Sequence, residues 1–172
     1  MMIQMFVTGV GFEETTGQPV VLLNDSEQKH ALPILIGMQE AGAISRAVQR
    51  LGLRHRTTHR LICEMMSTFG YDLDRAEITL TPDGAYTGKL FMVPNGTSGQ
   101  AIEFGARPTD AIILSLIEKA PLLVTEEILT RRGIELKTAE ELRDEDQFKE
   151  FVGSLKASDF NKFGSGPAEP PD

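Results

Sequence analysis

The order of predicted secondary-structure elements is the same in both halves of this 172-residue chain, and that repetition constrains the fold more than any other feature. The first half has three strand patterns and then two helical patterns: 3–9, 19–23, 30–36, 38–51 and 58–69. The second half repeats this order: 74–81, 85–93, 100–104, 108–119 and 125–133. Two such units can share one sheet. We therefore predict an α+β protein with a duplicated β3α2 repeat, one barrel-like mixed or antiparallel sheet flanked by helices, and a C-terminal helix.

A chain of this length fits one domain. We place that domain at 1–134, with repeats at about 1–70 and 71–134. Residues 135–163 are rich in acids and carry a helical apolar pattern, which predicts an acidic helical extension that docks on the core. Residues 164–172 contain few apolar side chains, and we expect them to be flexible.

The composition excludes several classes of protein. The longest apolar runs fall far short of the ~20 residues that a membrane span needs. The N-terminus lacks the basic and cleavage segments of a signal peptide, so we expect a cytoplasmic protein. One cysteine and three histidines, without zinc-type spacing, exclude a structural zinc site.

The net charge of −8 argues against general attraction to nucleic acid, but the charge is unevenly distributed. Residues 46–60 contain no acid, and their five arginines are the predicted nucleic-acid-binding residues: Arg46, Arg50, Arg54, Arg56 and Arg60. Spacing of i, i+4 places Arg46 and Arg50 on one helical face. The alternative interpretation is an ordinary solvated surface.

Common phosphate-loop, serine hydrolase and metalloprotease motifs are absent. Four polar residues near predicted helix starts remain as catalytic candidates: Glu40, His59, Arg107 and Asp110. His59 is a candidate proton carrier or a structural hydrogen-bonding residue. Arg107 is a candidate phosphate clamp or an ion-pair partner of Asp110.

Glu40 and Asp110 occupy equivalent positions in the two repeats, each in the first turn of a helix. A carboxylate there is stabilised by the helix dipole, which is a sufficient structural explanation for either acid alone. The coincidence of the two also suggests a shared site that binds Mg²⁺ or Mn²⁺ through oxygen ligands.

Five sequence segments, in order, resemble the bifunctional nuclease family: LPILIGMQEAGAI, THRL, ARPTDAI, PLLVTEEIL and FKEFVGSLKASDF. The resemblance implies a cytoplasmic, usually oligomeric protein that degrades both DNA and RNA. The positions that match the polar residues of the family's motifs are Glu40, Thr58, His59, Arg107, Thr109 and Asp110.

Two positions depart from the family pattern. Arg60 stands where the family has an aspartate in its Thr-His-Asp-Leu motif, and Gly105 stands where an acid is common. Losing two carboxylates weakens a metal site built on them. The leading hypothesis is nevertheless a metal-dependent nuclease. The alternatives are a noncatalytic module that binds nucleic acid or an acidic partner, and a purely architectural role for these residues in a homo-oligomer.

Overall fold

A computed structural model describes residues 1–49, 57–96 and 99–136 of the chain. Eight strands and four helices occur in this part, in the following order: β1 (Met2–Phe12), β2 (Pro19–Asp25), β3 (His30–Leu35), α1 (Met38–Val48), α2 (Thr58–Thr68), β4 (Tyr71–Leu80), β5 (Tyr86–Pro94), β6 (Ile102–Ala106), α3 (Pro108–Glu118), β7 (Leu122–Thr125), α4 (Glu126–Arg132) and β8 (Ile134–Glu135). The predicted α+β class is confirmed.

The eight strands form one sheet in the order β6-β5-β4-β7-β1-β2-β3-β8. β6 and β8 are its two edges, so within the described residues the sheet is open, and the prediction of a barrel-like sheet is not confirmed. Closure requires two edge strands to pair with each other. In the part of the chain that the structure describes, β8 is a two-residue strand that pairs only with β3, at His30 and Ala31.

Strand β7 was not predicted, and it changes the second half of the chain. It lies between α3 and α4, pairs in parallel with β4 and in antiparallel with β1, and so joins the two three-stranded units. The first half follows the predicted β3α2 order, whereas the second half has this additional strand between its helices. The duplication is therefore not confirmed by the element order. Glu135, predicted to begin the helical extension, lies in β8, and the remainder of that extension and the tail lie outside the described residues.

Glycine residues mark the predicted β4–β5 turn and the predicted end of α2. The turn between β4 and β5 is closed by one backbone hydrogen bond, from the Thr81 N–H to the Ala85 carbonyl, and by a second from the Ala85 N–H to the Thr81 hydroxyl; Gly84 has a φ of 83°. Such a left-handed backbone favours glycine. Gly70, with φ 80°, follows α2 in the same way. Helix α1 ends at Val48, earlier than the predicted end at 51.

The hydrophobic core lies between the sheet and helices α1, α2 and α3. Helix α3 is central, since it contacts α1, α2, β4, β5 and β7. Its residues Ala111 to Ser115 are all buried, which explains why this helix is apolar on every side. The first turn of α3 is consequently fixed by packing along the rest of the helix.

Candidate active site

The N-terminal turns of three helices supply the candidate catalytic residues. Glu40 lies in the first turn of α1, His59 in the first turn of α2 and Asp110 in the first turn of α3. Arg107 is the N-cap residue of α3 and has an extended backbone, as expected for a residue before proline. Each helix N-terminus carries partial positive charge, so the place where the three meet favours anionic groups.

Hydrogen bonds join all four predicted catalytic residues into one cluster. The Arg107 guanidinium donates to both carboxylate oxygens of Asp110, from Nε to Oδ2 at 2.8 Å and from Nη2 to Oδ1 at 2.9 Å. Nη1 of Arg107 donates to Glu40 Oε1 at 3.1 Å. His59 Nε2 lies 2.9 Å from Asp110 Oδ1. The convergence of these residues, which are up to 70 positions apart in the sequence, follows from the packing of α1 and α2 against α3.

The charges in this cluster shift the pKa values of Asp110 and Arg107. Arg107 donates two hydrogen bonds to Asp110 and lowers the pKa of that carboxyl group; partial burial opposes this effect, and the hydrogen bond from His59 adds to it. The pKa of Arg107 is raised, chiefly by Asp110. Because Asp110 is ionised and can only accept hydrogen bonds, His59 Nε2 carries the proton in this pair. The neutral ring then has its lone pair on Nδ1.

Arg107 is the most exposed residue of the cluster. The side chain of Arg107 is 63% exposed, while those of Glu40, His59 and Asp110 are between 18% and 25% exposed. Three of the five guanidinium N–H groups donate to carboxylates, which, counted over residues 1–49, 57–96 and 99–136, leaves two for an incoming anion. The site is thus open to solvent at its most basic group.

Depressions lie on both sides of the cluster. Glu40 and Arg107 line an open depression between β3, α1 and α3, together with Thr109. His59 lines a second pocket, which has a volume of about 270 Å³ and lies between α1, α2 and α3. Asp110 links the two sides, since it is bonded to both Arg107 and His59.

The geometry does not fit the predicted metal site at Glu40 and Asp110. Both oxygens of Asp110 accept hydrogen bonds from Arg107, and Glu40 is bonded to the same guanidinium, so the arginine bridges the two carboxylates. No group of three or more metal-binding side chains occurs within residues 1–49, 57–96 and 99–136. A cation bound by these two acids would have to displace Arg107, a group of the same charge sign.

Two of the five predicted nucleic-acid-binding arginines are described, and both lie at the second pocket. Arg46 of α1 and Arg60 of α2 line it with His59. Arg50, Arg54 and Arg56 lie outside the described residues, so only Arg46 and Arg60 of the five predicted arginines can be placed. Sequence reasoning missed Lys119, which also lines this pocket; a lysine at the end of a helix carries no sequence signal for such a role.

The remaining family-motif positions are less central. Thr58 is exposed at the start of α2, and Thr109 lines the open depression beside Arg107. Arg60, which replaces the family's aspartate, has an interaction partner and contributes to the pocket. Gly105 is exposed on the edge strand β6, with no atom within 4 Å of the position a Cβ would take.

None of the helices in the described residues has the length and apolar character that a transmembrane span needs.

Comparison with known proteins identifies one family. The sequence matches the family described as the bifunctional nuclease domain over residues 21–137. An uncharacterized protein of Mycobacterium tuberculosis is 30% identical over 90% of this chain and 95% of its own length. Bifunctional nuclease 2 of Oryza sativa subsp. japonica is 25% identical over 73% of this chain and 39% of its own length. Bifunctional nuclease 1 of Arabidopsis thaliana is 24% identical over 60% of this chain and 32% of its own length. Since the matched region covers more than half of the sequence and includes all four residues of the cluster, the chain belongs to the bifunctional nuclease domain family.

Proposed function

We propose that this protein hydrolyses phosphodiester bonds in DNA and RNA, with Glu40, His59, Arg107 and Asp110 as its catalytic centre. The observation that carries the proposal is their convergence into one hydrogen-bonded cluster on an open surface. The names of the plant relatives support the class of reaction.

In the proposed reaction, His59 is the general base. Asp110 accepts the Nε2 proton and fixes the ring, so the Nδ1 lone pair is available to take a proton from water. The water oxygen forms a new bond to phosphorus, and the bond from phosphorus to one sugar oxygen breaks. The departing oxygen then receives a proton from the imidazolium or from solvent. An ionised Asp110 stabilises that imidazolium, a role that its lowered pKa secures at neutral pH.

Arg107 is positioned to stabilise the negative charge that develops on the phosphate oxygens. Its side chain is largely exposed, and Asp110 and Glu40 hold the guanidinium in a fixed orientation. Glu40 is therefore a positioning residue in this proposal. Removing one such donor to a developing oxyanion typically costs about 10²–10³ in rate.

A requirement for Mg²⁺ or Mn²⁺ stays a prediction of the sequence, and none of the proposed reaction steps uses a metal ion. It is tested by comparing cleavage in EDTA with cleavage in millimolar Mg²⁺ or Mn²⁺. Activity that survives EDTA fits the arginine-bridged cluster. Activity that needs a cation would mean that the ligands include residues beyond the two bridged acids, or that Arg107 moves.

A second candidate function, binding of nucleic acid without cleavage, is favoured by one specific observation. Arg107 forms ion pairs with both carboxylates that were predicted to bind a metal, and Arg60 stands where the family has an acid. In that case binding weakens steeply with ionic strength, and no product forms with any cation.

The deciding experiment measures cleavage of fluorescently labelled single-stranded DNA and RNA by the purified chain and by H59Q. The matched control is H30Q, because His30 forms a similar pair with Asp25, with Nδ1 and Oδ2 2.7 Å apart, on strands β2 and β3. We expect H59Q to lose at least ~100-fold in rate and H30Q to retain activity. Undiminished cleavage in the double variant E40A/D110A would overturn the site assignment.

The predicted homo-oligomer and the cytoplasmic location also stay predictions. Light scattering of the purified chain tests the first, and cell fractionation tests the second.

A further inference from the structure

The pocket beside His59 has an aliphatic floor. Helix α3 contributes Ile113, which is 2% exposed, and the half-buried Leu116 and Ile117. Helix α1 contributes Ala43 and Ala47, whose small side chains leave the space open. The volume of about 270 Å³ is at the small end of ligand pockets, so it suits one compact ring system.

The rim of the same pocket is cationic. Arg46, Arg60 and Lys119 line it, and among the residues that the structure describes no carboxylate does. An apolar floor below three cations does not suit a bare metal ion or a free inorganic anion, since neither uses the aliphatic surface. It suits a molecule that joins a flat, weakly polar body to phosphate groups.

Lys119 has an uncommon backbone conformation. It is the C-cap residue of α3, with φ 58° and ψ 30°. This left-handed region is costly for residues with a Cβ, and glycine usually occupies it at helix ends. The helix would therefore end more easily with glycine, but glycine would remove one of the three cations at the rim.

We propose that this pocket binds one unpaired nucleotide of a single-stranded nucleic acid. The inference rests on the proposed function and names its substrate class. The base packs against Ile113, Leu116 and Ile117, and the flanking phosphates contact Arg46 and Lys119. Because His59 lines the same pocket, a phosphate next to the bound nucleoside lies at the proposed general base. A base stacked and paired within a duplex cannot enter a pocket of this kind without leaving the helix.

The test is a binding measurement that does not depend on cleavage. Fluorescence anisotropy follows a labelled oligomer of six thymidines, the same oligomer with abasic sugars in place of the central nucleotides, and a blunt-ended G·C-rich duplex that is long enough to stay paired at the assay temperature. All proteins carry H59Q so that the probe stays intact. We expect the abasic oligomer and the duplex to bind at least ~10-fold more weakly than the intact single strand. Equal binding of the intact and abasic oligomers, or of the single strand and the duplex, overturns the proposal.

A variant that fills the pocket gives an independent check. A47L places a larger side chain in the pocket, and A85L makes the same change at an exposed alanine in the β4–β5 turn. We expect A47L to weaken binding of the intact strand ~10-fold without affecting the abasic strand, and A85L to change neither. If A47L fails to fold, A43L replaces it. Folded A47L that binds the intact strand normally overturns the proposal.

The two proposals fail in different ways. Cleavage by the unmodified protein together with equal binding of intact and abasic strands refutes the pocket and leaves the nuclease. Base-dependent binding without cleavage under any condition refutes the nuclease and leaves the pocket.

Discussion

Replacing Asp110 by asparagine removes one charge from the centre of the cluster and leaves its shape nearly unchanged. Asp110 accepts two hydrogen bonds from Arg107 and one from His59, and its side chain is 25% exposed. Arg107 is largely exposed, so solvent screens that pair and limits it to about 0.5–1 kcal/mol. With a similar contribution from the more sheltered His59 bond, we expect D110N to lose about 1–2 kcal/mol at pH 7.

This loss should depend on pH in a defined direction. The pKa of Asp110 in the folded protein lies below its ordinary value of 3.8, mainly because Arg107 donates to the ionised form. The ionised carboxylate therefore contributes its full stability above about pH 5, and this contribution disappears as the pH falls through the folded pKa. Asparagine does not titrate, so the difference between the two proteins should shrink in acid.

Thermal unfolding at pH 7 and urea unfolding at pH 7 and pH 3 measure these effects. The expected decrease in Tm at pH 7 is about 2–8 °C. Cleavage by D110N should fall by at least ~100-fold, because the orienting acceptor of His59 loses its charge. The control is D74N, since Asp74 pairs with Arg75 at an exposed position on β4. A stability difference that is as large at pH 3 as at pH 7, or normal cleavage by D110N, would refute this reasoning.

Three further predictions concern other parts of the molecule. In G88A the new Cβ would lie 2.8 Å from the Arg107 carbonyl oxygen and 3.0 Å from Ala111 Cβ. We therefore expect urea unfolding to show a free energy of unfolding lower by about 1–3 kcal/mol, and cleavage to be slower because Arg107 shifts. K119G replaces a lysine in the left-handed backbone region by glycine, which should raise Tm by about 1–3 °C, and it should reduce the magnitude of the slope of log binding constant for single-stranded DNA against log salt concentration by about 0.7. An unchanged slope would mean that Lys119 does not contact a phosphate. Burial, with a smaller effect of Glu118, raises the pKa of Cys63 to about 12, so a thiol reagent at pH 8 should label native protein at least ~100-fold more slowly than unfolded protein, and comparable rates would contradict this.

The sequence predicted the members of the candidate site better than their arrangement. Glu40, His59, Arg107 and Asp110 were identifiable because each is a polar residue near the start of a predicted helix and each falls in a family motif. That Arg107 bridges the two acids depends on how α1 packs against α3, which no local pattern specifies. The predicted metal site was inferred from the acids alone and did not include the arginine between them.

The fold shows a similar division between local and long-range information. Turns and helix ends at Gly70 and Gly84 follow from backbone preferences within a few residues. Strand β7 has only four residues and follows Pro121, so it resembles a loop leading into α4. It is a strand because residues 76–78 and 2–5 pair with it. Whether the sheet closes is likewise decided by its edges, β6 and β8, and not by any local pattern.

Strand β7 also has a consequence for the order of events during synthesis. The central sheet needs β1, which is made first, to pair with residues 122–125, which are made more than a hundred residues later. The cluster has the same requirement, because Glu40 and His59 precede β4 whereas Arg107 and Asp110 follow β6. A ribosome-bound chain that has not yet released β7 therefore lacks the strand that joins the two halves of the sheet, and a chain that has not yet released α3 also lacks two of the four residues of the cluster.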